Sequence, residues 1–171
     1  MRVWRLCKRE HAAFDGEGAR LAGGRWNRRG TRMVYTSESL SLAALEMLVH
    51  ADPALLPPDL VAIPADIPDA IRIERLDEPR LPRDWRGAPA PDALAGLGSA
   101  WASEARSAVL SVPSAVVPKE RNFLLNPEHP DFPKIRRGEP QAFSLDRRLR
   151  SARNLPSAPS RGSAKGPRPR D

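Results

Sequence analysis

Apolar residues fall into short groups divided by glycine and proline. Residues 2–6 alternate in part and predict a short strand. Residues 31–36, Thr31-Arg32-Met33-Val34-Tyr35-Thr36, are rich in β-branched and aromatic side chains and predict another. The clearest helix spans about 39–51, where Ser37 or Ser39 serves as N-cap, Ala and Leu fill the interior, and Asp52-Pro53 ends it. Leu42, Leu45 and Val49 mark its expected buried stripe. A second helix is expected over 91–105, with Pro91 near its start and Leu94, Leu97 and Trp101 on one face. Gly96 and Gly98 weaken it. Short strands fit near 59–66 and 70–74, and 107–117 reads as a strand broken at Pro113. Two more apolar segments lie at 121–126 and 141–145, while 15–30, with five glycines, reads as a long loop. The sum is a single compact α+β domain.

Charge divides the chain. The net charge is +7, and residues 147–171 carry eight basic side chains against Asp171 alone. Residues 1–146 are therefore neutral, with 20 basic and 20 acidic side chains. A neutral body argues against a dedicated DNA-binding domain, whose affinity rests on a basic face. The boundary is set at 146, and the basic tail, rich in Pro, Ser and Gly, is expected to be disordered. The alternative function this tail allows is that of a nucleic-acid-binding accessory protein. No apolar run approaches the roughly 18 residues of a membrane span. Residues 1–9 lack an apolar run of signal-peptide length, and a cytoplasmic location is expected. One cysteine and three scattered histidines leave no Cys/His zinc cluster, so no metal is expected. Residues 53–91 hold nine prolines and no motif.

Glu46 carries the first chemical signal. It lies four residues beyond Leu42, inside the expected apolar stripe, where a carboxylate loses hydration unless it is paired or reaches a wet cleft. Arg25 is the natural partner, because it follows Gly23-Gly24, where backbone can approach another group closely. Gly23-Gly24-Arg25-Trp26-Asn27 can cradle a phosphate or a planar ring, or form a turn with a surface Arg. Tyr35, the sole tyrosine, packs in the core or faces a cleft. Ser114 sits in an apolar run and needs a hydrogen-bond partner. Asn122 and the segment 126–132 place polar groups between prolines, as a rigid turn or a ligand rim. His129 is not read as a general base.

Together these residues resemble the RES-domain toxins of bacterial toxin–antitoxin pairs. The matching pieces are Gly23-Gly24-Arg25-Trp26-Asn27 with Gly30, and Val34-Tyr35-Thr36-Ser37 leading into Ala43-Ala44-Leu45-Glu46. A late block also matches, from Val112-Pro113-Ser114 through Asn122, Leu125-Asn126-Pro127 and His129-Pro130. The resemblance covers residues 1–146. It implies an ADP-ribosyltransferase-like fold that cleaves the nicotinamide–ribose bond of NAD⁺, passing ADP-ribose to water, phosphate or a protein. It also implies an Xre-type antitoxin as partner, contact with DNA only through that antitoxin, and room for a homo-oligomer within the complex. By the same resemblance Arg25 binds and orients NAD⁺ and holds Glu46 ionised. Tyr35 stacks on nicotinamide, Glu46 stabilises the developing ribose cation, and Ser114 orients Glu46 or the ribose. Trp26, Asn27 and Asn122 contribute to the pocket wall.

Overall fold

A computed structural model describes residues 1–50 and 58–150. One mixed sheet organises it. Its strands are β1 (Arg2–Lys8), β2 (Val34–Ser37), β3 (Leu60–Asp66), β4 (Ile73–Arg75), β5 (Val109–Pro113), β6 (Arg121–Leu125), β7 (Arg136–Arg137) and β8 (Gln141–Ala142). They run in the order β4-β5-β6-β2-β1-β3-β7, and β8 also pairs with β3. β4 and β5 are parallel, and the other pairs are antiparallel. The α-helices among the described residues are α1 (Glu17–Ala22), α2 (Leu40–His50), α3 (Asp92–Ser103) and α4 (Arg147–Arg150). The α+β reading therefore holds, and α4 forms a helical turn at the start of the basic tail. The rest of the tail, 151–171, lies outside the described residues.

The sheet is two ribbons joined at one point. β1 pairs with β3 over its full length, and β2 pairs with β6 over four positions. β1 and β2 share a single register pair, Trp4↔Ser37. Beyond it the ribbons separate, and the Arg5 guanidinium bridges to the Tyr35 carbonyl at 3.4 Å. Val3, Val34, Ile63, Val109 and Leu125 fill the core on one side of the sheet. On the other side α3 covers β5 and β6, with Trp26, Leu94, Trp101, Leu110 and Leu124 packed together.

Both long helices form near their expected bounds, and Leu42, Leu94 and Trp101 are buried as expected, but part of each expected stripe faces outward. In α2, Leu42, Ala43 and Ala44 are buried, while Leu45 and Val49 are 41% and 58% exposed. Apolar residues occupy almost every position from Leu42 to Val49, so spacing alone does not select the inward face. In α3, Leu97 is exposed and Gly98 takes the inward place. A Cβ at Gly98 would lie 1.9 Å from the Trp26 carbonyl oxygen. The glycine that weakens the helix, by about 1 kcal/mol relative to Ala, lets the 23–27 loop pack on it. The 15–30 region also contains α1, too short for a periodic signal, with the Asp15 carboxylate accepting from the Glu17 N–H at 3.0 Å. β7 is two arginines and carries no apolar pattern at all.

Candidate functional site

The loop between α1 and β2 is built from backbone and one buried amide. Gly24 and Asn27 exchange backbone hydrogen bonds of 2.9 and 3.3 Å. Asn27 Nδ2 donates to the carbonyls of Ala19, Arg28 and Thr31 at 2.8–3.1 Å. Its Oδ1 accepts from the Tyr35 hydroxyl at 2.7 Å, and that hydroxyl accepts from the Trp26 N–H at 3.1 Å. A Cβ at Gly24 would stand 2.7 Å from the Tyr35 hydroxyl, so only glycine admits this packing. Gly23 has φ +73°, a left-handed conformation that side chains other than hydrogen rarely adopt. α3 secures the loop from outside, since Ser99 Oγ accepts from the Arg28 N–H at 2.9 Å.

This loop holds Arg25 in place. Arg25 Nη1 donates to the Trp85 carbonyl at 2.7 Å and Nη2 to the Gly87 carbonyl at 3.1 Å. Arg86 in turn donates from Nε to the Ala115 carbonyl at 3.2 Å. The segment without a sequence motif thus ties the arginine loop to the turn carrying Ser114.

Glu46 faces the same cleft from α2. Ser39 Oγ caps this helix, accepting from the Leu42 N–H at 3.1 Å. Two side chains donate to Glu46 Oε1: Ser114 Oγ at 2.7 Å and Asn122 Nδ2 at 2.5 Å. The cleft measures about 490 Å³. Glu46 and Arg25 are the charged residues lining it among the described residues, with Trp4, Leu6, Tyr35 and Met47 among the walls. It opens where the two ribbons of the sheet part.

The geometry sorts the expected residues. Arg25, Trp26, Tyr35, Glu46 and Asn122 line the cleft. Asn27 and Ser114 do not: both are fully buried, and their polar atoms bond to protein groups behind the wall. The expected Arg25–Glu46 ion pair is absent, because the guanidinium is held by carbonyl oxygens and the carboxylate by Ser114 and Asn122. Burial pushes the Tyr35 hydroxyl well above the ordinary tyrosine range, partly offset by the Trp26 N–H and the Arg25 charge. Its phenol is therefore neutral, with the oxygen engaged and the ring left to face the cleft. His129 Nδ1 accepts from the Asp131 N–H at 3.0 Å, a turn contact. Sequence reading missed Trp4, Leu6 and Met47, whose apolar spacing is shared by ordinary core positions.

The RES domain family model matches residues 2–146. The chain belongs to the RES-domain family. Relatives of this RES domain agree over most of their length. It is 41% identical to the toxin Res of Photorhabdus laumondii over 157 residues, 90% of this chain and 99% of that protein. It is 37% identical to a Prs ADP-ribosylating toxin of Sphingobium sp., over 85% of this chain and 94% of that protein. The RES fold is similar to a chain in the crystal structure of the M. tuberculosis MbcT–MbcA toxin–antitoxin complex. The TM-score is 0.68 at 20% identity, over 87% of this chain and 88% of that one.

Proposed function

We propose that this RES domain is the toxin of a toxin–antitoxin pair and that its cleft cleaves the bond between nicotinamide and ribose in NAD⁺. The observation that carries the reading is one carboxylate, Glu46, held at a single oxygen by two donors in a cleft whose other charge is Arg25. The names of the relatives support it, one of them an ADP-ribosylating toxin.

Glycosidic cleavage builds positive charge on the ribose as the C1′–N bond lengthens. The bonding pair leaves with the nicotinamide nitrogen, and the ring becomes neutral. Glu46 opposes the ribose charge and holds a ribose hydroxyl. Arg25 has five N–H donors, of which two are held by carbonyls; the other three have no protein acceptor among the described residues and can donate to phosphate oxygens. The Tyr35 ring stacks on nicotinamide, and Trp26 and Asn122 border the pocket. An oxygen of water, phosphate or a protein side chain then bonds to C1′ and gives up its proton. Residues 1–146 form the catalytic unit, with an ADP-ribosyltransferase-like fold. The toxin works in the cytoplasm, and an Xre-type antitoxin is its partner.

The test is cellular NAD⁺ after induced expression, with Glu46→Ala as control. A rapid fall in NAD⁺ with the wild type alone is the expected result. An equal fall with Glu46→Ala would remove the assignment. Added phosphate then separates phosphorolysis from hydrolysis in the purified system.

A further inference from the structure

Glu46 reaches the cleft on a flexible side chain, yet both of its hydrogen bonds land on Oε1. Valence fixes the proton directions there. An ionised carboxylate only accepts. Ser114 Oγ already accepts the N–H groups of Val116 at 3.1 Å and Val117 at 2.9 Å, so its one proton goes to Glu46. Asn122 must turn its amino group, not its carbonyl, toward Glu46. The two ends of an amide have nearly the same shape, so packing alone distinguishes them poorly. A second contact completes the arrangement. Ser37 Oγ lies 2.7 Å from Asn122 Oδ1, and the two residues face each other directly in the β2–β6 ladder. With Oδ1 bound there, the hydroxyl donates, and the polarised amide becomes a stronger donor to Glu46. A reversed amide would set its carbonyl against the carboxylate.

We propose that Ser37 and Asn122 are positioning residues. Ser37 orients the Asn122 amide, and Asn122 together with Ser114 clamps Oε1 so that Oε2 is the oxygen presented to substrate. Ser37 is also the β2 member of the one register pair joining the two ribbons. The clamp is therefore anchored at the point where the cleft begins. This inference rests on Glu46 acting at the ribose of NAD⁺.

The test is steady-state NAD⁺ cleavage by the purified full-length chain, with thermal unfolding as a control for folding. Ser37→Ala is expected to lower kcat about tenfold and Asn122→Ala about a hundredfold, with KM within about threefold, the pattern of a lost transition-state interaction. Ser37→Thr keeps the hydroxyl and restores most of kcat. Asn122→Asp sets a second carboxylate beside Glu46, opposite Arg25, and moves the acid limb of the kcat profile up by about one pH unit or more. Wild-type kcat in Ser37→Ala with an unmoved profile in Asn122→Asp would overturn the clamp while leaving the NAD⁺ reading intact. A raised KM at unchanged kcat would overturn it too, making Asn122 a binding group. No cleavage by the wild-type chain would overturn the function itself, and the clamp with it. If Asn122→Ala does not fold, the Ser37 pair and the pH profile still decide.

Discussion

The two charged residues of the cleft are held in opposite ways. Arg25 is fastened by main-chain carbonyls of Trp85 and Gly87, groups that every residue type supplies. Glu46 is fastened by side chains of Ser114 and Asn122, which a single substitution removes. The arginine side is protected by the course of the chain, and the glutamate side depends on residue identity. Substitutions near Arg25 should act through loop position, and those near Glu46 through individual donors.

The largest effect should come from Glu46→Gln, which keeps the size of the side chain and removes its charge. NAD⁺ turnover is expected to fall by about a thousandfold, the scale of one lost electrostatic stabiliser, with little change in melting temperature. A kcat within tenfold of wild type would place the decisive charge elsewhere. Ser114→Ala comes next, with kcat down about tenfold to a hundredfold and two backbone N–H groups left without their acceptor. The matching change on the arginine side is Trp85→Phe. It keeps the carbonyl that Arg25 uses, so activity should stay within about threefold of wild type while packing costs about 1–2 kcal/mol of stability. Equal activity losses in these two variants would erase the contrast.

Gly98→Ala tests the loop through its support. The added methyl meets the Trp26 carbonyl, so α3 and the 23–27 loop must move apart. A loss of about 1–3 kcal/mol in chemical denaturation is expected, despite the better helix propensity of alanine.

The smallest effect is alkaline. The folded Tyr35 hydroxyl titrates above its unfolded value of about 10, so the folded state keeps a proton that the unfolded state releases. That stability is fully present below pH of about 10 and is lost as pH rises through the folded value. Tyr35→Phe removes this part of the alkaline slope in pH-dependent unfolding, while also leaving Asn27 Oδ1 without its donor.

Elements set by strong local signals were legible in the sequence. α2 begins at a serine cap, and β3 and β5 are runs of apolar residues between turns. Their inward faces were less legible, because Leu45 and Leu97 look like core residues and instead point outward. The residue on the inner side of α3 is a glycine, which hydrophobic spacing does not count. Glu46, Arg25 and Tyr35 stood out by residue context and then by motif likeness, and the structure places all three around one cleft. The partners of Arg25 were hidden, since a backbone carbonyl leaves no mark on residue identity. Ser37 was hidden for another reason: its pairing with Asn122 depends on strand register, and the two lie 85 residues apart.

The order of synthesis matters for such a site. Glu46 leaves the ribosome long before its donors, which follow 68 and 76 residues later. At about 5–20 residues per second, the wait for Asn122 lasts about 4–15 s. During that interval the nascent chain carries the carboxylate and the arginine without the strand that fixes the first of them. A translation product that ends before Ser114 has neither donor and lacks β6, so the hydrogen bonds to Glu46 form only after synthesis has passed Asn122.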